Sequence, residues 1–275
     1  MDPKPLTTTT TTTTTTKLAY FDDMRALRSS ALLLALLQVD DGRLAAILDA
    51  TIFHPQGGGQ PADTGFIIAA AAAADDDGGG RGAKFVVEDV RLKEGVVFHY
   101  GKFEDSEDEC QSKLREGQKV SLHIDAQRRE INSRLHSAGH LLDICMQNVG
   151  LSHLEPGKCY HFPDGPFVEY KGVIPPDQLQ NKQHELEREA NSLISTGGKV
   201  SASILSYEEA VQWCGGSLPS YISRDSTPRI VKFGDHRGCP CGGTHVADIA
   251  DIKNLKVTQI RMKKGLTKVF YSIST

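Results

Sequence analysis

The sequence contains no apolar run approaching the roughly 20 residues that a membrane-spanning helix requires, so an integral helical membrane protein is excluded. Its six cysteines, at positions 110, 145, 159, 214, 239 and 241, are too sparse and uneven for a disulfide scaffold. Neither charge dominates, because 31 Lys and Arg face 35 Asp and Glu for a formal charge of −4. Any binding of nucleic acid must therefore use a local basic face. The start carries no pattern of a secreted protein, which makes the reducing cytoplasm the expected compartment. Asp2 and the lack of arginine before Arg25 disfavour an organelle transit peptide.

What is present is enough to build a core. Hydrophobic residues make up 39% of 275, and charged residues 24%, a balance suited to a globular chain of two modest domains. The unbroken threonine tract at 7–16 cannot bury apolar area to offset its ordering entropy, so residues 1–17 are expected to form a disordered tail. Strand-like stretches at 32–39 and 43–53 flank an Asp-Asp-Gly turn. Further ones at 84–90, 96–100 and 119–124 predict a small β-barrel-like domain over 18–124. Homopolymer blocks of Ala, Asp and Gly after Ile68 look like an insertion at a hairpin tip.

At Asp125 the pattern changes. This residue is a helix N-cap candidate, and Ile131, Leu135, Ala138, Leu142 and Val149 follow at helical spacing. A second helix is predicted after Pro175-Pro176-Asp177, stopping at Gly197. A capping box of Ser206 with Glu209 starts a third. Strand character at 200–204, 229–234 and 247–274 completes an α+β domain over 125–275, and the fold class is α+β overall.

The chemistry-bearing residues fall into three motifs. His136 and His140 lie four apart on the first predicted helix, so both side chains leave one face. Cys241 and His245 are again four apart, across Gly242 and Gly243, whose flexibility suits a tight loop. A three-His, one-Cys set suits zinc. Cys239 rivals Cys241 for the thiolate position. His54, His99, His123, His153, His161, His184 and His236 read as surface or satisfied core. No glutamate follows His136, which disfavours the metalloprotease His-Glu-x-x-His helix. The third motif, Thr51-Ile52-Phe53-His54-Pro55-Gln56-Gly57-Gly58-Gly59-Gln60, is a shaped loop too rich in glycine for a helix.

Together, and in this order, the three motifs resemble the AlaX family, relatives of the alanyl-tRNA synthetase editing domain. The resemblance covers roughly residues 17–275. It implies a zinc-dependent hydrolase of the ester in mischarged alanine tRNA, mainly seryl, with glycyl as a second candidate. It further implies an N-terminal barrel-like domain carrying the glycine-rich loop and a C-terminal editing domain. One Zn2+ would be held by His136, His140, Cys241 and His245. The polar residues flanking the loop, Thr51 and Gln60, are expected beside the bound amino acid. Lys253, Lys256, Arg261, Lys263, Lys264 and Lys268, together with Arg128, Arg129 and Arg134, are candidates for tRNA phosphates. The alternatives are a non-catalytic zinc module that binds tRNA or a partner, and a zinc hydrolase of some other ester. Four protein ligands ordinarily close a structural zinc site, which favours the first of these. A monomer that engages no membrane is the default state.

Overall fold

The computed structural model describes residues 15–39, 41–69, 83–104 and 114–274. The expected hairpin tip and the first fourteen residues lie outside this set. Thr16 and Lys17 do not belong to a loose tail. Thr16 is buried, its backbone N–H donates to the Gly95 carbonyl, and its hydroxyl donates to the Leu48 carbonyl and accepts from the Val97 N–H. Strand β1 (Lys17–Leu18) then pairs parallel with β4 (Ala50–Thr51). A threonine hydroxyl can satisfy two buried backbone groups at once, and that long-range pairing is invisible in the composition of the tract.

Six antiparallel strands close a barrel: β2 (Arg28–Gln38), β3 (Leu44–Leu48), β5 (Gly65–Ala69), β6 (Lys84–Lys93), β7 (Val96–Phe103) and β8 (Lys119–Ile124). Their order around it is β2-β3-β7-β6-β5-β8. Alternation along each strand sends Leu33, Leu48, Ile67, Phe85, Val87, Val120 and Leu122 inward. The expected second strand is broken at Asp49, whose carboxylate turns to accept the Leu32 N–H.

Helix α1 (Ala126–Asn148) leaves the barrel at Asp125, whose side chain accepts the Arg128 N–H as the predicted cap. Helix α2 (Leu179–Thr196) ends at Gly197 in the left-handed region, and α3 (Tyr207–Trp213) opens on the Ser206–Glu209 capping box. A four-stranded antiparallel sheet carries β9 (Glu155–Tyr160), β10 (Phe167–Lys171), β14 (Leu255–Lys263) and β15 (Leu266–Ile273), in the order β14-β15-β10-β9. A smaller sheet joins β11 (Val200–Ile204), β12 (Arg229–Phe233) and β13 (Cys239–Pro240). Part of the expected strand over 247–274 is instead a 3-10 turn at Ile249–Ile252, because Asp248 and Asp251 cap it reciprocally. The α+β class holds. Among the described residues no helix is long and apolar enough to cross a membrane.

The position of α1 sets up the function. Leu135, Ala138, Leu141, Leu142 and Cys145 face the core shared with α2 and the four-stranded sheet. Asn132, Ser133, Arg134, His136 and Ser137 are buried as well. Covering a polar helix face costs free energy unless each group finds a partner, so the polar face of α1 locates the site.

Candidate metal centre

The structure brings His136, His140, Cys241 and His245 together, with one ligand atom from each lying within 4.8 Å of the others. His136 Nε2 is 3.2 Å from His140 Nε2 and 3.5 Å from Cys241 Sγ, and Cys241 Sγ is 3.3 Å from His245 Nε2. A tetrahedral ion with bonds of about 2.0–2.3 Å separates its ligand atoms by about 3.3–3.8 Å, so the spacing fits a metal ion. The 241–245 loop is clamped by the Arg229 guanidinium, which donates to the carbonyls of Cys241 (2.8 Å) and Gly243 (2.9 Å). A side chain at Gly243 would lie 2.2 Å from His136 Cε1, which accounts for the glycine there.

Each imidazole has an outer partner. Gln60 Oε1 already accepts the Thr244 N–H (3.0 Å) and lies 2.7 Å from His136 Nδ1. An oxygen so placed can only accept, so the His136 proton sits on Nδ1 and the Nε2 lone pair faces the cluster. His245 Nδ1 meets Ser137 Oγ at 3.2 Å, and His140 Nδ1 meets Cys239 Sγ at 3.2 Å. Cys239 therefore lies behind His140, whereas Cys241 is the thiol in the cluster. Burial holds all three imidazoles below their ordinary value, His140 at about 4, and the neighbouring imidazoles add to the effect at His136 and His245. They are neutral ligands near neutral pH. Burial also pushes the Cys241 thiol up to about 11, against the pull of the Gly243 N–H and Arg229. Coordination would ionise it.

Gln60 is thus a positioning partner of His136. Its Nε2 donates to Thr244 Oγ1 at 2.9 Å, and Thr244 Oγ1 lies 2.8 Å from Ser133 Oγ. Thr51 is fully buried in the barrel, where its hydroxyl sits 2.8 Å from His99 Nε2 and accepts the Phe53 N–H. The glycine loop docks on the far half of the chain. Gly59 has φ of +79°, a Cβ there would meet the Cys159 carbonyl at 2.7 Å, and its own carbonyl accepts the His161 N–H. Beneath the loop, Arg129 forms a buried ion pair with Asp63 and donates to the Ile52 and Met24 carbonyls.

The basic candidates separate by exposure. Arg261, Lys263 and Lys264 are exposed at the β14–β15 hairpin, as are Lys253 and Lys256. Lys268 pairs with Glu169 at 3.4 Å. Arg134 turns inward: only 3% exposed, it ties the carbonyls of Ile252 and Ser274, which corrects its expected place on a phosphate-facing surface. Arg129 is spent on Asp63, and Arg128 donates to the Ala62 carbonyl.

His161 is the residue that sequence reasoning left out of the site. Its ring stacks on His136 with centroids 4.6 Å apart, and its Nδ1 lies 2.6 Å from the Tyr271 hydroxyl, which donates to the Leu135 carbonyl. A methyl at Gly139 would strike this ring at 2.3 Å. No short-range motif surrounds His161, so only the fold reveals it. His140 and Cys241 form the half-buried edge of the cluster, while a cleft of about 370 Å³ between 24–27, α1 and 245–253 reaches Ser133 and His245.

Residues 7–128 match the model for class II (A) tRNA synthetases, and residues 229–269 match the threonyl and alanyl tRNA synthetase second additional domain. The barrel thus lies in a segment similar to class II (A) tRNA synthetases, and the Cys241–His245 half of the cluster in a segment similar to the threonyl and alanyl tRNA synthetase second additional domain. The chain is 30% identical over 234 residues to the alanyl-tRNA editing protein AlaX-L of Pyrococcus horikoshii, covering 84% of this chain and 51% of that protein. It is 31% identical over 225 residues to alanine–tRNA ligase 1 of Lachnoclostridium phytofermentans, covering 80% of this chain and 23% of the ligase. The alanine–tRNA ligase of Thermotoga maritima gives 29% over 225 residues, again 80% and 23%. The chain thus spans about half the length of the first relative and under a quarter of the ligases. Over these segments it is similar to the AlaX family.

Proposed function

We propose that this protein edits alanine tRNA, hydrolysing the ester of Ser-tRNA(Ala), with Gly-tRNA(Ala) as a second substrate, at one zinc ion held by His136, His140, Cys241 and His245. The observation that carries this reading is the convergence of four ligand atoms within 4.8 Å of one another, three of the pairs 3.2–3.5 Å apart, with the His136 lone pair aimed inward by Gln60. Bound zinc supplies Lewis acidity toward water or an acyl oxygen. The relatives' names, an alanyl-tRNA editing protein and alanine–tRNA ligases, supply the substrate class.

The chain's own part is to hold and to select. Gln60 fixes the His136 tautomer, and Ser137 and Cys239 hold the rings of His245 and His140 from behind, so no reorientation is needed when substrate arrives. The half-buried edge at His140 and Cys241 is where an acyl end enters. A pocket that must hydrogen-bond the serine hydroxyl can reject alanine by about 10⁴-fold or more, far beyond discrimination by size. Gln60 keeps one uncommitted amide hydrogen, and Thr51 one lone pair after His99 and Phe53 are served. These are the groups we assign to selection. Exposed Arg261, Lys263 and Lys264 are assigned to tRNA phosphates. We assign the protein to the cytoplasm, a compartment in which tRNA is charged.

Four protein ligands also suit a purely structural ion, and one experiment separates the two readings. Ser-, Gly- and Ala-charged alanine tRNA are incubated with the protein, with and without chelator, and with His136→Ala. Chelator-sensitive loss of the seryl ester, absent in the variant, is expected. A folded, zinc-loaded protein that leaves all three esters intact overturns the editing reading.

A further inference from the structure

The outer face of the four-stranded sheet carries an aromatic strip that the metal centre does not use. Strand alternation places His161 inward, against His136, and its neighbour Tyr160 outward. Tyr160 stacks on Phe162 with centroids 4.4 Å apart and rings 9° from parallel, and lies 5.7 Å from Phe167. Phe167 on β10 is in register with both Tyr160 on β9 and Phe270 on β15, and its ring is 5.4 Å from that of Phe270. All four rings are half-exposed. Burying them in the core is impossible from this face, since Val168, Tyr170, Val269 and Tyr271 already occupy the inner one.

Cations line the same strip. The Arg261 guanidinium lies 5.2 Å from the centre of the Phe270 ring, and Lys268 Nζ lies 4.0 Å from that of Phe167. The acids nearby are engaged: Glu169 faces Lys268, and Asp164 accepts the Tyr160 hydroxyl at 3.0 Å. Aromatic rings interleaved with cations are the chemistry that binds unpaired nucleotides, each ring stacking a base and each cation meeting a phosphate.

We propose that Tyr160, Phe162, Phe167 and Phe270, with Arg261 and Lys268, form a stacking platform for the unpaired 3′ end of tRNA. This rests on the editing reading. β9 is the edge strand of the sheet and His161 follows Tyr160 directly, so a strand lying along the strip from Phe270 toward Tyr160 heads for the sheet edge on whose inner side His161 packs against His136. An arriving base takes the ring face that Arg261 or Lys268 now covers, and the displaced cation turns to the adjoining phosphate. Ring faces accept any base, so the platform adds affinity and direction without choosing sequence.

The test uses a hairpin of the alanine tRNA acceptor stem, uncharged, with its unpaired 3′ end carrying 2-aminopurine, compared with a blunt hairpin. Intact protein is expected to quench the fluorophore and to bind the tailed hairpin at least about 10-fold more tightly than the blunt one. Phe167→Leu and Phe270→Leu, which keep apolar bulk, are expected to lose the quench and most of that preference, and Phe270→Tyr to retain both. Arg261→Gln, at an exposed site that folding does not need, is expected to reduce the salt slope by about one. Leucine variants that bind and quench like the parent, or equal affinity for the two hairpins, overturn the platform. Because the RNA is uncharged, failure here is distinct from failure of the protein to deacylate Ser-tRNA(Ala). Quenching without deacylation would leave the platform standing and remove the editing reading.

Discussion

Gln60 Oε1 lies 2.7 Å from His136 Nδ1, joining a loop that follows the first barrel strands to a helix 76 residues further along the chain. The amide can hold this bond because Thr244 fixes it from both sides, through its N–H and its hydroxyl. Outer partners of metal-binding histidines commonly govern affinity by about 10- to 100-fold. Gln60→Leu is therefore expected to weaken zinc binding by that factor, measured by competition with a chromogenic chelator. Unchanged affinity would mean that the imidazole is aimed by packing alone.

Metal should also stabilise the fold. An ion that binds only the folded state adds about 2.7 kcal/mol when present at 100 times its dissociation constant. Thermal unfolding of chelated protein should begin at lower temperature than that of zinc-loaded protein, and His245→Ala should remove the difference. An equal melting curve with and without metal would argue that nothing binds at the cluster.

The Asp63–Arg129 pair is the strongest candidate for a single point of failure. Both side chains are almost wholly buried, and Arg129 also holds the Ile52 and Met24 carbonyls. Removing one member of such a pair strands the other charge, at a cost of about 3–5 kcal/mol. Asp63→Ala is expected to lower stability by that amount in urea unfolding. A loss below about 1 kcal/mol would show that water reaches the guanidinium.

Acid should weaken the barrel through His99. Burial lowers this residue from its ordinary 6.5 to about 4, while its two nitrogens serve the Ala46 carbonyl and the Thr51 hydroxyl. The unfolded chain takes up the proton below pH 6.5, and the folded chain only near pH 4. Stability is thus full above pH 6.5 and falls as pH drops toward 4, by roughly 3 kcal/mol for this one group. Burial lowers His54 to about 4 as well, so the informative quantity is a difference. His99→Gln, which can serve both partners, should flatten the dependence relative to the parent in urea unfolding at pH 7 and pH 4. Parallel curves would exclude His99 as the cause.

Local chemistry made much of this molecule readable in advance. Asp125, Gly197 and the Ser206–Glu209 pair mark helix ends by hydrogen bonds and backbone angles that need nothing beyond their immediate neighbours. The i, i+4 spacing brought His136 and His140 to one side of α1, and the paired Gly242-Gly243 allowed Cys241 and His245 to turn back together. What escaped depends on distant partners. Thr16 is ordered by Leu48 and Val97, and Arg134 is drawn inward by Ile252 and Ser274. Gln60 flanks the glycine loop in sequence, but its contact with His136 emerges only when the barrel loop meets α1. His161 reaches the cluster through a β-strand end, with no spacing rule to flag it.

The glycine loop has one more consequence. Its backbone is latched by His161 and its last side chain by His136 and Thr244, so cutting the chain after Ile124 would not yield an autonomous half with a well-aimed cluster. All four coordinating groups would sit in the downstream fragment, yet the hand that steadies one of them would remain upstream. Mixing the two fragments should restore what neither holds by itself.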